Sequence, residues 1–228
     1  VSFDNEFYLT LNFSTKIKVV EVKSKTTSNY VQRVYGNSDL FSFRSFDENN
    51  VDYSVLTQAD LVVVNGLNKI DKGLSSTLAS SAEDLQLLVI SGAQPDANSY
   101  NTILKLPSLK RMESKEQVEL DKPDFQNPFF ANVFEERSIT LAMPKATKLL
   151  DWGEDRSAIL KFRNGLPFLS RDKNGFILAC PIEKEFTDFY NQALFVPVMY
   201  RIAASGKRNE NKAYYQTSES LITLRADS

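Results

Sequence analysis

The chain has 228 residues, of which 42% are hydrophobic and 25% charged, a composition typical of a folded domain and unlike a disordered segment. It contains no histidine and a single cysteine, Cys180, which excludes Ser-His-Asp and Cys-His catalysis, histidine-based metal centres and an intrachain disulfide. The 27 Lys and Arg against 29 Asp and Glu give a net charge of −2, which argues against a general nucleic-acid binder.

The first residues alternate between apolar and polar side chains over residues 6–13 (EFYLTLNF), a pattern typical of an amphipathic strand. We expect residues 1–14 to form an N-terminal strand, either within a flanking β module or paired with a strand at residues 220–226. The chain begins with Val1 and carries neither a start methionine nor a signal peptide, so we expect it to be a piece of a longer protein. No stretch approaches the roughly 20 apolar residues of a membrane span.

Four short elements follow. The β-branched run at 17–22 predicts a buried strand, and residues 29–35 predict a short helix that Ser28 caps and Gly36 ends. Residues 40–46 alternate and predict another strand, and residues 52–59 predict a helical turn.

Two continuous apolar runs indicate the architecture: DLVVVNG at residues 60–66 and LQLLVISG at residues 85–92. Between them, Leu74, Leu78 and Ala82 recur at four-residue spacing, which predicts a helix over residues 71–84. Strand, helix and strand, with both strands apolar throughout, is typical of a parallel βαβ unit. The first hundred residues therefore predict an α/β fold, a doubly wound and mostly parallel sheet of flavodoxin-like type, with additional β-strands at the termini.

The second half of the chain is less regular. Residues 93–100 predict a loop, residues 100–106 a short helix, and residues 107–157 an irregular excursion over the sheet. Strands are expected at 158–163, 166–169 and 176–180, because Asn-Gly and Lys-Asn-Gly turns separate them. Residues 191–204 predict a helix with Pro197 in its first turn or at a kink. We expect the α/β domain to cover residues 15–205 and a tail with one strand to cover residues 206–228.

Ligands of doubly wound sheets bind beyond the carboxyl ends of the strands. In this sequence those ends carry Asn65, Gly66, Ser91, Gly92 and Gln94, which form the candidate site for a small ligand.

Several other residues are of types that carry out catalysis or bind metals, but their sequence context indicates structural roles. Ser91 follows a strand as a nucleophile would, but its context, I-S-G-A-Q, is not G-x-S-x-G, and no imidazole exists to activate it. Cys180 ends an apolar run and favours core packing. We interpret the acidic loop at 47–52 and the acidic residues 151, 154 and 155 as parts of solvated loops rather than as metal sites. No glycine-rich phosphate loop is present, so we expect no cofactor and no metal.

Phe129 and Phe130, preceded by Pro128, are the candidates for an exposed apolar patch, and we expect them to form an interaction surface.

Several segments, in this order and spacing, resemble the BatA-type proteins, a membrane-anchored "aerotolerance regulator" family of Bacteroidetes. They are FDNEFY at 3–8, DLVVVNGL at 60–67, KGL at 72–74, NPFFANVF at 127–134, NGLPFL at 164–169, GFILACPI at 175–182 and ALFVPVMYRIA at 193–203. The resemblance runs over about residues 3–205.

The resemblance implies a class I glutamine-amidotransferase-like domain outside the cytoplasmic membrane, and so a periplasmic location. It also implies transmembrane helices and a von Willebrand A-like region elsewhere in the protein, with membrane contact only through segments outside this fragment. Active amidotransferases carry a nucleophilic cysteine where this chain has Ser91-Gly92-Ala93, together with a His-Glu pair. The resemblance therefore transfers a scaffold and no catalytic residue.

Three hypotheses of different classes remain. The first is a non-catalytic domain that contacts other envelope proteins. The second is a small-ligand sensor that binds at Asn65, Ser91 and Gln94, and the third is a hydrolase that works without histidine.

Overall fold

The computed structural model describes residues 16–82, 85–104, 106, 108–130, 142–173 and 175–206. The strands predicted at residues 6–13 and 220–226 lie outside the described residues. The strands are β1 (Ile17–Lys23), β2 (Phe41–Asp47), β3 (Leu61–Asn65), β4 (Gln86–Ile90), β5 (Lys110–Arg111), β6 (Gln117–Glu119), β7 (Lys145–Thr147), β8 (Leu150–Asp151), β9 (Leu160–Lys161), β10 (Pro167–Asp172) and β11 (Gly175–Leu178). The helices are α1 (Tyr30–Tyr35), α2 (Tyr53–Leu56), α3 (Lys72–Ser80), α4 (Ala97–Tyr100) and α5 (Phe195–Ala204).

Seven strands form the central sheet in the order β2-β1-β3-β4-β11-β10-β9. The first five of these are mutually parallel, and β10 and β9 continue the sheet in antiparallel pairing. The predicted fold class, a mostly parallel α/β sheet flanked by helices, is therefore confirmed.

The βαβ unit confirms the interpretation of the two apolar runs. Every residue of β3 and β4 is buried, as expected for central strands covered on both faces. Asp71 is the N-cap of helix α3, and its carboxylate accepts the N–H of Leu74 at 3.0 Å. The helix buries Leu74 and Leu78 against the sheet. Leu74 and Leu78 of the predicted helical face are thus packed, but the helix ends at Ser80, so Ala82 lies beyond it and is only partly buried.

The β10–β11 hairpin and its neighbours also follow the sequence pattern. Strand β11 pairs with β10 in antiparallel fashion and with β4 in parallel fashion, so a local hairpin inserts into the parallel sheet. Pro197 lies in the first turn of α5, one of the two positions predicted for it.

Two helix predictions were wrong in detail. Ser28 does not cap α1; the N-cap residue is Asn29, whose side chain makes no capping hydrogen bond. The short helix predicted at residues 100–106 lies earlier in the chain: α4 spans Ala97–Tyr100, within the segment predicted as a loop. The reason is Asp96, whose side chain accepts the N–H groups of Asn98 and Ser99 and starts the helix earlier.

The segment predicted as an irregular excursion contributes to the main core. It forms two small antiparallel sheets, β5 with β8 and β6 with β7. Leu120, Leu150 and Trp152 from this segment are buried in the same cluster as the strands of the central sheet. Among the described residues, no helix is both long and apolar enough to cross a bilayer.

Candidate functional site

The carboxyl ends of β1, β3, β4 and β11 meet at one edge of the sheet because these strands are parallel. This carboxyl edge brings Asn65 and Gly66 beside Ser91 and Gly92, as the sequence predicted. Asn65 pairs with Ile90 across the sheet, and the N–H of Gly66 donates to the carbonyl oxygen of Ile90 at 3.0 Å.

Asn65 is already engaged with the protein. It is 2% exposed, and its Nδ2 donates to Oε1 of Glu21 at 2.8 Å. The hydroxyl of Ser45 donates to Oε2 of the same carboxylate at 2.6 Å. Glu21 is 1% exposed, so these two donors replace the water that a carboxylate would otherwise hold. The Asn65 amide therefore stabilises a buried acid that sequence reasoning missed, since nothing in IKVVEVK distinguishes a buried from an exposed Glu21.

Gly92 and Gln94 are both held by hydrogen bonds from their backbone N–H groups. The N–H of Gly92 donates to the Tyr100 hydroxyl at 2.9 Å, and that hydroxyl donates to the carbonyl oxygen of Leu67. A β-carbon at position 92 would lie 2.7 Å from the same carbonyl oxygen, so the two backbones are in close contact. Gln94 joins this edge through its backbone N–H, which donates to Oδ1 of Asn68 at 2.8 Å, while the residue itself is exposed.

Ser91 and Cys180 are both buried beneath this edge. Ser91 is 0% exposed, and within the described part of the chain its hydroxyl has no hydrogen-bond partner. Cys180 is buried as predicted, and burial raises the pKa of its thiol well above the ordinary value. Both groups are thus protonated and shielded from solvent in this conformation, which is unfavourable for a nucleophile.

A polar bridge crosses the carboxyl edge. The carboxylate of Glu183 accepts the backbone N–H of Ser28 at 2.6 Å and the Ser28 hydroxyl at 2.5 Å. Ser28 follows β1 and Glu183 follows β11, and three strand spacings of about 4.8 Å separate these strands by about 14 Å. The two loops therefore meet over the ends of β3 and β4. Sequence reasoning could not find this pair, whose members are 155 positions apart.

The acidic residues near Trp152 make structural contacts. The Ser170 hydroxyl donates to Oδ2 of Asp155 at 2.6 Å and accepts the indole N–H of Trp152 at 3.1 Å. In the loop at 47–52, Asp52 caps α2, and hydrogen bonding from Ser54 lowers the pKa of its carboxyl group. Across the described residues, no group of three His, Cys, Asp or Glu side chains converges as a metal site would require.

The predicted patch at Phe129 and Phe130 was wrong for Phe130, which is 3% exposed. The two residues belong to a single 3-10 turn, Pro128–Phe130. Phe130 packs edge-on against Phe129, with ring centroids 5.1 Å apart, and Phe129 packs in the same way against Phe176 at 5.9 Å. Phe129 is only partly buried and remains at the surface.

Phe129 lines a groove with a volume of about 670 Å³ at the opposite, amino-terminal edge of the sheet. Three cationic residues, Arg171, Lys173 and Arg201, and one acidic residue, Asp172, also line it. The Arg171 guanidinium lies 5.5 Å from the centre of the Phe176 ring, and the Arg201 guanidinium donates to the carbonyl oxygen of Pro128 at 3.3 Å. Among the described residues, the groove therefore combines one partly exposed aromatic ring, Phe129, with three cationic side chains and one acidic side chain.

No model of a known protein family and no curated protein sequence matches the chain. Among solved structures, a protein proposed to be a GMP synthase component from Thermoplasma acidophilum is 14% identical, with a TM-score of 0.51 over 83% of this chain and 94% of that one. A proposed ThuA-like protein from Bacteroides uniformis is 10% identical, with a TM-score of 0.51 over 86% of this chain and 96% of that one.

A glutamine amidotransferase from Thermotoga maritima is 14% identical over 72% of this chain and 75% of that one, and its TM-score of 0.45 is too low to support a conclusion. At these identities the similarity establishes the fold alone. The chain thus shares the α/β fold of the proposed GMP synthase component and of the ThuA-like protein, in agreement with the mostly parallel topology of its sheet.

Proposed function

We propose that this domain is a non-catalytic interaction domain that works through contacts with other proteins. The observation that supports the proposal is the closed carboxyl edge, where folds of this type place their chemistry. The Ser91 hydroxyl and Cys180 thiol are buried there, Asn65 is bonded to Glu21, and the sequence supplies no histidine as a proton relay.

The groove at the amino-terminal edge is the contact surface that we propose. Its lining of Arg171, Lys173 and Arg201 around Phe129 is complementary to an acidic segment that carries an aromatic or aliphatic side chain. Arginine and aromatic residues are also the residues that contribute most strongly to binding at protein interfaces. Of the two residues predicted to form an interaction surface, the proposed surface includes Phe129 and excludes Phe130, which is buried.

We further propose that the domain belongs to a Bat-type, membrane-anchored envelope protein and lies in the periplasm, with other envelope proteins as its partners. This part of the proposal rests on the sequence resemblance over about residues 3–205. The full-length sequence tests it: flanking transmembrane helices and an upstream von Willebrand A-like metal-site motif support the assignment, and their absence contradicts it.

The contact surface can be tested with a defined probe, a fluorescein-labelled peptide of glutamate and phenylalanine, measured by fluorescence anisotropy at low salt. We expect Lys173→Glu to weaken binding by several-fold, because it reverses one charge of the groove. Lys115→Glu is the matched control, since Lys115 is exposed and lies outside the groove lining. Equal binding by both variants and the wild-type protein would contradict the proposed surface.

A small-ligand sensor at the carboxyl edge is the second candidate, and the unpartnered Ser91 hydroxyl is the observation that favours it. A buried hydroxyl without a partner is a group that a bound ligand could satisfy. Heteronuclear NMR during titration with a small-metabolite library tests this function. Shifts confined to residues 65–68 and 91–94 support it, and shifts confined to the groove contradict it.

A further inference from the structure

The six residues 180–185 form a strap between two fixed points. Residues 180–182 of the strap are buried in the core, and residues 183–185 lie partly or fully exposed at the surface. On one side, the carbonyl oxygen of Ala179 accepts the N–H groups of Leu149 and Leu150 at 3.0 and 2.9 Å. On the other, the carbonyl oxygen of Phe186 accepts the N–H of Thr147 at 2.7 Å. Between these anchors, Glu183 reaches across the carboxyl edge to Ser28.

The strap follows β11 and therefore lies beside the carboxyl ends of β3 and β4. Ile90 pairs with Asn65 on one side and with Leu178 on the other, so the next residue, Ser91, lies between the strand exits at Gly66 and Ala179. The loop that carries Ser28 also packs onto β3, where the N–H of Ser24 donates to the carbonyl oxygen of Asn65 at 3.2 Å. The strap and this loop therefore close the edge from opposite sides.

The contact between Glu183 and Ser28 consists of two short hydrogen bonds, but it is accessible to water. A carboxylate that accepts an N–H and an O–H at these distances forms charge-assisted hydrogen bonds. Both Glu183 and Ser28 are only partly buried, so water can replace either partner. A contact between two partly buried groups can open locally without unfolding of the whole domain.

We propose that the Glu183–Ser28 bridge is a latch, and that its release allows residues 180–185 to detach from the core in a local opening that exposes Cys180. The structure shows the closed state. The inference goes beyond the proposed function and does not depend on it. Such a latch is compatible both with a protein-contact domain and with a small-ligand sensor.

Cys180 provides a direct measurement, because it lies in the strap and is the only thiol of the chain. We would measure the rate of its reaction with 5,5′-dithiobis(2-nitrobenzoic acid) under native conditions, normalised to the rate in the urea-unfolded protein. The latch predicts that Glu183→Gln raises the native rate roughly 10-fold or more, the equilibrium change expected for loss of a hydrogen bond to a charged group. Ser28→Ala should act in the same direction, and Ser28→Thr, which keeps the hydroxyl, should retain slow labelling.

Glu185→Gln is the matched control, because it makes the same charge change at an exposed position within the strap. Its rate should equal that of the wild-type protein. Labelling should also depend only weakly on low urea concentrations, because a local opening exposes less surface than global unfolding. Equal rates for Glu183→Gln and the wild-type protein would overturn the latch. So would a urea dependence as steep as that of global unfolding, since labelling would then report the whole fold.

Discussion

Gly175 lies against the carbonyl oxygen of Leu87 where β11 joins β4, so closely that a β-carbon at position 175 would overlap this oxygen. The same β-carbon would lie 2.7 Å from Cβ of Leu87. Because Leu87 belongs to a fully buried strand, neither its backbone nor its side chain can move aside freely.

Replacement of Gly175 by alanine should therefore destabilise the domain. We expect Gly175→Ala to lower the free energy of unfolding by about 1–3 kcal/mol, the usual cost of overpacking a core, measured by urea denaturation. Gly165→Asn is the control: Gly165 has a φ of 83° and open space around it, and asparagine tolerates this backbone conformation. An unchanged free energy of unfolding for Gly175→Ala would contradict the close packing of β11 against β4.

Glu21 should be coupled energetically to Asn65. We expect Glu21→Ala to lower the free energy of unfolding by about 1–3 kcal/mol, because it leaves the buried Asn65 amide and the Ser45 hydroxyl without their acceptor. In a double-mutant cycle with Asn65→Ala, the double variant should cost less than the sum of the two single changes. Strict additivity would show that the two side chains do not interact.

Asp155 should make the domain sensitive to acid. Burial tends to raise the pKa of its carboxyl group, but hydrogen bonds from Ser157 and Ser170 outweigh burial and lower this pKa below the ordinary value. The stabilisation is thus fully present above the unfolded pKa of about 4 and is lost as the pH falls through the lowered folded pKa. Asp155→Asn should be less stable than the wild-type protein at pH 6, and the difference should shrink toward pH 3. The exposed Glu154→Gln should show no such trend.

Ser91→Ala should be neutral or stabilising. The hydroxyl is buried without a partner, so its removal relieves a desolvation cost, and we expect the free energy of unfolding to rise by up to about 1 kcal/mol. Ser99→Ala is the contrasting control, because the Ser99 hydroxyl accepts the N–H of Ile70 at 3.0 Å and donates to the carbonyl oxygen of Asp96 at 2.8 Å. Differential scanning fluorimetry separates the two, and a marked loss of stability in Ser91→Ala would indicate a hydrogen bond that this conformation lacks.

The sequence was sufficient to predict the parallel sheet, because the patterns that indicate its strands and helices are local. The uninterrupted apolar runs of β3 and β4 imply burial on both faces, and Asp71 with the spacing of Leu74 and Leu78 indicates the helix between them. The turn at Asn164-Gly165 likewise needs no tertiary information.

The candidate site required contacts that local patterns do not encode. The sequence placed Asn65 and Ser91 at the right edge, yet it could not show that Glu21 engages Asn65 or that Glu183 covers the edge, since both contacts are long-range. Phe129 and Phe130 illustrate the same limit. They are identical residues in one short turn, and only packing against Phe176 and the rest of the core decides which of them stays at the surface.

The insertion of the β10–β11 hairpin beside β4 also has a consequence for biosynthesis. Strand β4 ends at Ile90, and its neighbour β11 begins only at Gly175, so the ribosome adds more than eighty residues between them. At translation rates of roughly 5–20 residues per second, the apolar edge of β4 stays without a partner for on the order of ten seconds. Unpaired apolar edges are sites of aggregation, so the nascent chain is expected to depend on chaperones most strongly in this interval.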